Sequence, residues 1–214
     1  MSYTESALIE LQYLPPVQFF SKCLHYPLLW IETEEHYTKR SYRNRCHLAG
    51  PNGILRLSVP LRSGKNEGMP IRKVQIAYDE LWQAQHWSSI QTCYGNAPFF
   101  TFYAPELQDL YERQFEYLFD FNWTLLHRLF DLLRIKVHLE WTTVYESTPS
   151  EGVDLRNQIL PTDQEGARDE HFQSVSYPQV FQERHGFLAN LSILDLLFCT
   201  GPEAPQWLQR SWID

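Results

Sequence analysis

Glycine is scarce in this chain, 9 residues in 214, and none of them builds a nucleotide fingerprint. There is no GxGxxG run, which removes the usual signature of a dinucleotide fold. Gly64-Lys65 is the lone Gly-Lys pair, and Val59 stands where a Walker loop requires its first glycine. No GxSxG elbow occurs, so a serine-hydrolase reading has no support. Cysteine is limited to Cys23, Cys46, Cys93 and Cys199, without a CxxC, which excludes a disulfide-stapled scaffold. The spacing of Cys23, His25, His36, Cys46 and His47 fits no zinc motif, so no metal site is assigned and no cofactor is identified. No apolar run reaches the roughly 18 residues of a membrane span. Residues 1–14 lack a cationic start and a cleavage site, so a cytoplasmic protein with reduced thiols is expected.

Aromatic residues, by contrast, make up 15% of the chain, enough for rings to dominate the core and any pocket wall. The net charge of −8 argues against a general nucleic-acid binder. That total conceals a split. From Lys39 to Lys73 there are nine basic residues and one acid, Glu67, so this window is +8 and the rest of the chain −16. Such segregation favours an anionic small-molecule partner, while pairing with Glu32, Glu34 and Glu35 is the competing structural account.

The periodicity predicts strands over 8–14, 28–32, 71–77 and 136–145, and a hairpin of 41–49 with 54–61 around Gly50-Pro51-Asn52-Gly53. Helices are predicted over 17–24, after Asp79 as cap, over 105–118 and 122–135, and over 188–198. Trp82, His86, Ile90 and Cys93 fall on one helical face. Residues 146–178 form a polar excursion, which a core helix follows, so the chain reads as one domain over 1–214. The expected class is α/β (or α+β): a mixed sheet, one antiparallel hairpin and helices packed on the sheet.

Two clusters carry possible chemistry. Lys39-Arg40-Ser41-Tyr42-Arg43-Asn44-Arg45 concentrates cations, hydroxyls and an amide, and on a strand Arg43 and Arg45 share a face. His86 and Ser89 are one helical turn apart, a spacing that suits nucleophilic catalysis, although a histidine bonded inside an aromatic core is the simpler account. Asp195 lies in an apolar run, where a carboxylate needs a partner: an arginine of the hairpin, or His86 if it orients that ring.

Four blocks together resemble the WbqC-like family, particularly its branch common in Bacteroidetes. They are Tyr13-Leu14-Pro15-Pro16 with Phe19 and Phe20; residues 34–60 around Tyr37 to Arg45; residues 82–99 with His86, Ser89, Tyr94 and Ala97-Pro98-Phe99; and residues 179–201 with Asn190, Leu191-Ser192-Ile193 and Asp195. The resemblance implies a role in O-antigen or surface-polysaccharide synthesis, where an acyl or aminoacyl (glycine-type) transfer onto an amino-sugar nucleotide has been suggested for members. It implies that Lys39, Arg43 and Arg45 hold the diphosphate, with Tyr42 and Ser89 as further contacts. His86 would deprotonate the amine, Tyr94 or Asn44 would stabilise the oxyanion, and Asp195 would support His86. No nucleophile is assigned, and the acyl donor is unknown: CoA thioester, aminoacyl-tRNA or adenylate. A non-catalytic binding module for an anionic glycan precursor or a protein partner is the alternative.

Overall fold

The computed structural model describes residues 6–62, 66–149, 151–163, 166 and 168–213. Its centre is a four-stranded sheet built from β1 (Ser6–Glu10), β2 (Leu28–Glu32), β5 (His138–Trp141) and β6 (Val153–Asp154), in the order β5-β2-β1-β6. All three pairings are parallel. The α/β class, the single antiparallel hairpin and the packed helices match the sequence reading. The antiparallel component sits in its own two-stranded sheet, β3 (Arg45–Gly50) with β4 (Gly53–Ser58), so the larger sheet is purely parallel. Leu57 and Val59 point inward and Arg56 and Ser58 outward, as alternation requires. Gly53 closes the hairpin at φ 100°, a backbone angle that penalises residues with a Cβ.

The sheet has two unlike faces. Ala7, Ile9, Leu29 and Ile31 alternate onto one side and are completely buried. The α-helices are α1 (Val17–His25), α2 (Trp82–Tyr94), α3 (Phe100–Tyr111), α4 (Leu118–Leu133), α5 (Gln182–His185), α6 (Ile193–Thr200) and α7 (Ala204–Arg210). On the same side, Trp141 meets the Phe119 and Trp123 rings of α4 edge-on. Leu8 and Trp30, register partners in β1 and β2, face the other way. Parallel sheets are normally covered by helices on both faces. Here residues from 142 onward take that place on the second face.

Several boundaries depart from the periodicity. The first strand stops at Glu10, because Gln12 to Leu14 turn inward and Leu14 adopts φ 41°. Residues 71–77 are not a strand: Ile71–Lys73 form a 3-10 turn, and Gln75 and Ile76 make only isolated bridges to Tyr117 and Leu61. The alternation there reflects one-sided burial of Ile71, Val74 and Ile76 without a partner strand. Asp79 does not cap α2, whose N-cap is Leu81 with no side-chain bond. The third helix spans 100–111, not 105–118, so Pro105 lies inside it. The predicted strand 136–145 shortens to 138–141, and the predicted helix 188–198 begins only at Ile193, capped by Ser192. The lone Gly-Lys pair, Gly64-Lys65, lies outside the described residues.

The polar excursion comes back into the sheet. It supplies β6, and it buries Leu155, Ile159, Phe172 and Tyr177 in the core. Lys22 of α1 holds it through Asp169 at 2.7 Å.

Candidate functional site

In an open parallel sheet, ligands collect beyond the carboxyl ends of the strands, where loops leave in different directions. Here those ends carry charge. Glu10 ends β1 and Glu32 ends β2, and the two are register partners. Both are buried, as are Glu35 and Arg43. Burial of so many charges is tolerable only when each has a partner. Glu10 Oε2 accepts from the backbone N–H of Asn157 at 2.9 Å, and its Oε1 from the Gln12 amide at 2.9 Å. Glu32 Oε2 accepts from Arg156 Nη1 at 2.8 Å, and its Oε1 from Thr142 Oγ1 and the Glu34 N–H. Arg156 also grips Asp154 through Nε and Nη2. Arg43 makes a two-pronged pair with Glu35 and reaches Asn157 Oδ1 at 3.0 Å.

Asn157 holds φ 58°, an uncommon angle for a residue with a side chain and one that occurs at functional sites. Burial pushes the Glu35 carboxyl up to about 7, outweighing Arg43, and Glu10 and Glu32 add to the rise. Burial would raise Asp154 as well, but the bonds from Arg156 hold it below the ordinary carboxylate value.

Beside this network, on the face opposite the helices, lies a cleft of about 480 Å³. Leu8, Trp30 and Glu32 form its sheet side, and Trp141, Thr142, Thr143, Val144, Glu146, Pro149 and Glu151 complete it. Its volume suits a sugar or a similar small molecule. No lysine, arginine or histidine is among the described residues lining it.

The residues singled out by sequence lie mostly elsewhere. His86 is buried, accepts or donates at 2.8 Å with Tyr13 Oη, and meets the Ser58 backbone carbonyl; Tyr13 continues to Tyr111 Oη at 2.7 Å. Burial lowers His86 to about 4, so the ring is neutral near pH 7. Tyr94 stands eight residues along the same helix, about 12 Å away by helical rise. Its hydroxyl accepts from the Ala49 N–H at 3.0 Å. Asp195 accepts from Tyr177 at 2.8 Å and Gln179 at 2.7 Å, and Tyr94 also stabilises its charged form. Burial nevertheless raises Asp195 to about 6. Tyr94 and Asp195 are thus brought together, but Asp195 neither orients His86 nor pairs with a hairpin arginine.

Asn44 accepts from Tyr37 Oη and donates to the Val59 carbonyl. Tyr42 is buried beside His47. Ser89 is half-buried and donates to the Gln85 carbonyl, not to His86. Arg43 and Arg45 do not share a strand face, because β3 starts at Arg45 and Arg43 sits in the preceding turn. Arg43 is spent on Glu35, one of the three acids that the competing structural account named. Lys39 is exposed and Arg45 half-buried, and neither has a carboxylate partner among the described residues. Sequence reasoning missed Glu10, Trp30, Arg156 and Asn157. A glutamate at the end of each of two apolar strands was the available signal.

Comparison with known proteins agrees with the family resemblance. The profile of the WbqC-like protein family matches residues 12–168, and the chain belongs to that family. It is similar to the uncharacterized protein Rv1507c of Mycobacterium tuberculosis, 27% identical over 226 residues that cover 95% of this chain and 96% of the relative. No solved structure matches. No helix among the described residues is long and apolar enough to cross a membrane.

Proposed function

We propose that this member of the WbqC-like family binds a nucleotide-linked amino sugar and transfers an acyl or aminoacyl group to its amine, in O-antigen or other surface-polysaccharide synthesis. The observation that carries the reading is the cleft of about 480 Å³ at the carboxyl ends of the parallel strands, with Trp30 on its sheet side and carboxylates around it. An indole face suits the C–H surface of a sugar ring, and carboxylates accept from hydroxyl and amine donors. The diphosphate of the same substrate meets the basic window, where Lys39 and Arg45 remain available; Tyr42 and Asn44 lie between them in sequence. Transfer forms the N–C bond as the sugar amine attacks the activated carbonyl. The donor's leaving group departs with its electron pair, and the amine proton passes to a base. The carboxylates of the cleft lining, Glu32 and Glu151 among them, are the bases that the site presents to that proton. In this reading His86, Tyr94, Asp195 and Ser89 stabilise the helical layer on the other side of the sheet.

The test is turnover of amino-sugar nucleotides with CoA thioester, aminoacyl-tRNA and adenylate donors, followed by mass spectrometry. Product formation, with a fall of at least about tenfold in kcat/KM for Trp30→Ala, supports the reading. No product from any pair, or an unaffected Trp30→Ala, overturns it. One observation favours a second reading, a binding module without turnover: His86, Tyr94 and Asp195 all sit in closed internal networks. Saturable binding of the nucleotide sugar with no product identifies that case.

A further inference from the structure

The charges around the cleft say which form of sugar it holds. Glu32 and Asp154 share one guanidinium, that of Arg156, so this trio keeps a net charge of −1. Glu151 adds a further carboxylate to the lining. Glu151 is exposed and has no ion-pair partner among the described residues. Against these acids no basic residue contributes to the described lining. Trp30 is half-buried, with Leu8 beside it in register. An indole in an acid-rimmed, partly desolvated recess attracts a cation through its ring face, and the effect strengthens as water is excluded. Thr142 and Thr143 supply hydroxyls that hydrogen-bond a sugar without selecting its charge.

We infer that the cleft selects the ammonium form of an amino sugar over the same sugar once its nitrogen is acylated. The inference rests on the function proposed above and makes that reading more specific. Acylation converts an amine that carries a proton in its free state into an uncharged amide. The product therefore loses the Coulombic and cation–π attraction that held the substrate, while its ring contacts stay the same. Selectivity and product release then follow from one change of charge. A neutral ring keeps its hydroxyl hydrogen bonds to the lining but gains no charge attraction from Glu151.

The test is titration of the full chain at pH 7 with glucosamine, glucose and N-acetylglucosamine, followed by tryptophan fluorescence and calorimetry. Glucosamine is expected to bind about tenfold more tightly than N-acetylglucosamine, the size of one partly desolvated cation–π contact. Glu151→Gln is expected to weaken glucosamine about threefold and leave N-acetylglucosamine unchanged, whereas Glu112→Gln, outside the cleft lining, leaves both unchanged. Equal or tighter binding of N-acetylglucosamine, still lost in Trp30→Ala, overturns the inference and leaves the sugar cleft standing. Equal effects of Glu151→Gln and Glu112→Gln overturn it too, by showing net charge alone at work. If no sugar binds and Trp30→Ala changes nothing, the cleft reading falls together with it.

Discussion

Glu10 and Glu32 lie side by side as register partners at the ends of two adjacent parallel strands, and each carboxylate is taken up by a different residue of one short segment. Asn157 bonds Glu10 through its backbone N–H, and Arg156 bonds Glu32 through its guanidinium. Two like charges in neighbouring positions of a buried sheet end repel unless each is drawn to its own partner. The polar excursion therefore supplies partners to the carboxyl ends as well as extending the sheet.

Arg156→Ala strips Glu32 of its cation while Glu32 stays buried. The expected loss is about 3 kcal/mol, read by urea denaturation. Because Leu155 N–H bonds the Leu8 carbonyl at 2.8 Å, its hydrogen exchange should accelerate more than that of the hairpin. Uniform acceleration across both sheets would show that Arg156 does not anchor β6 specifically.

Arg43→Met leaves Glu35 buried without its partner, at an expected cost of about 3–5 kcal/mol at pH 8. Glu35 titrates near 7 when folded, against about 4.5 for its ordinary value. A raised carboxyl contributes stability that is present below 4.5 and is lost as pH rises through 7. Removing Arg43 raises it further, so the penalty should shrink at pH 5, where Glu35 takes a proton. Equal penalties at pH 5 and pH 8 would contradict this.

His86→Phe keeps the ring volume but leaves Tyr13 without its imidazole partner, costing about 1–3 kcal/mol. Burial holds His86 near 4, so between pH 6.5 and 4 the unfolded chain takes a proton that the folded chain refuses. Wild-type stability falls with acid through that window, and the Phe variant should fall less. Parallel acid limbs in urea denaturation would show an ordinary titration instead.

Asp195→Asn preserves an oxygen that accepts from both Tyr177 and Gln179, since both bond the same Oδ2. Asp195 is raised to about 6, so its contribution is complete below about 3.8 and declines as pH rises through 6. The variant should gain on wild type by about 2–3 kcal/mol over that interval and hold the gain above it. Thermal or urea midpoints across pH 4 to 8 check this, and a constant difference would refute it.

Much of the architecture was legible because it rests on local patterns. The alternation around Gly50-Pro51-Asn52-Gly53 gave the hairpin, and the spacing of Trp82, His86, Ile90 and Cys93 gave the buried face of α2. Residues 71–77 misled because alternation records one-sided burial, which a bridged loop produces as readily as a strand. The site was less legible. Arginines in a basic window look alike in sequence, yet Arg43 is fully buried on Glu35 and Lys39 is exposed. Arg156 and Asn157 meet Glu32 and Glu10 across more than a hundred residues of chain, a separation that no local spacing encodes.

The amino-acid sequence by itself determined the α/β class, the hairpin, the family and the charge split, since composition, periodicity and short motifs are local properties of the chain. Tertiary structure alone decided which charges are free. Pairing depends on distance and on exclusion of water, and both come from the parallel register that sets Glu10 beside Glu32 and returns residues 153–157 across them. The same packing left one sheet face without helices, and the cleft over Trp30 exists there for that reason.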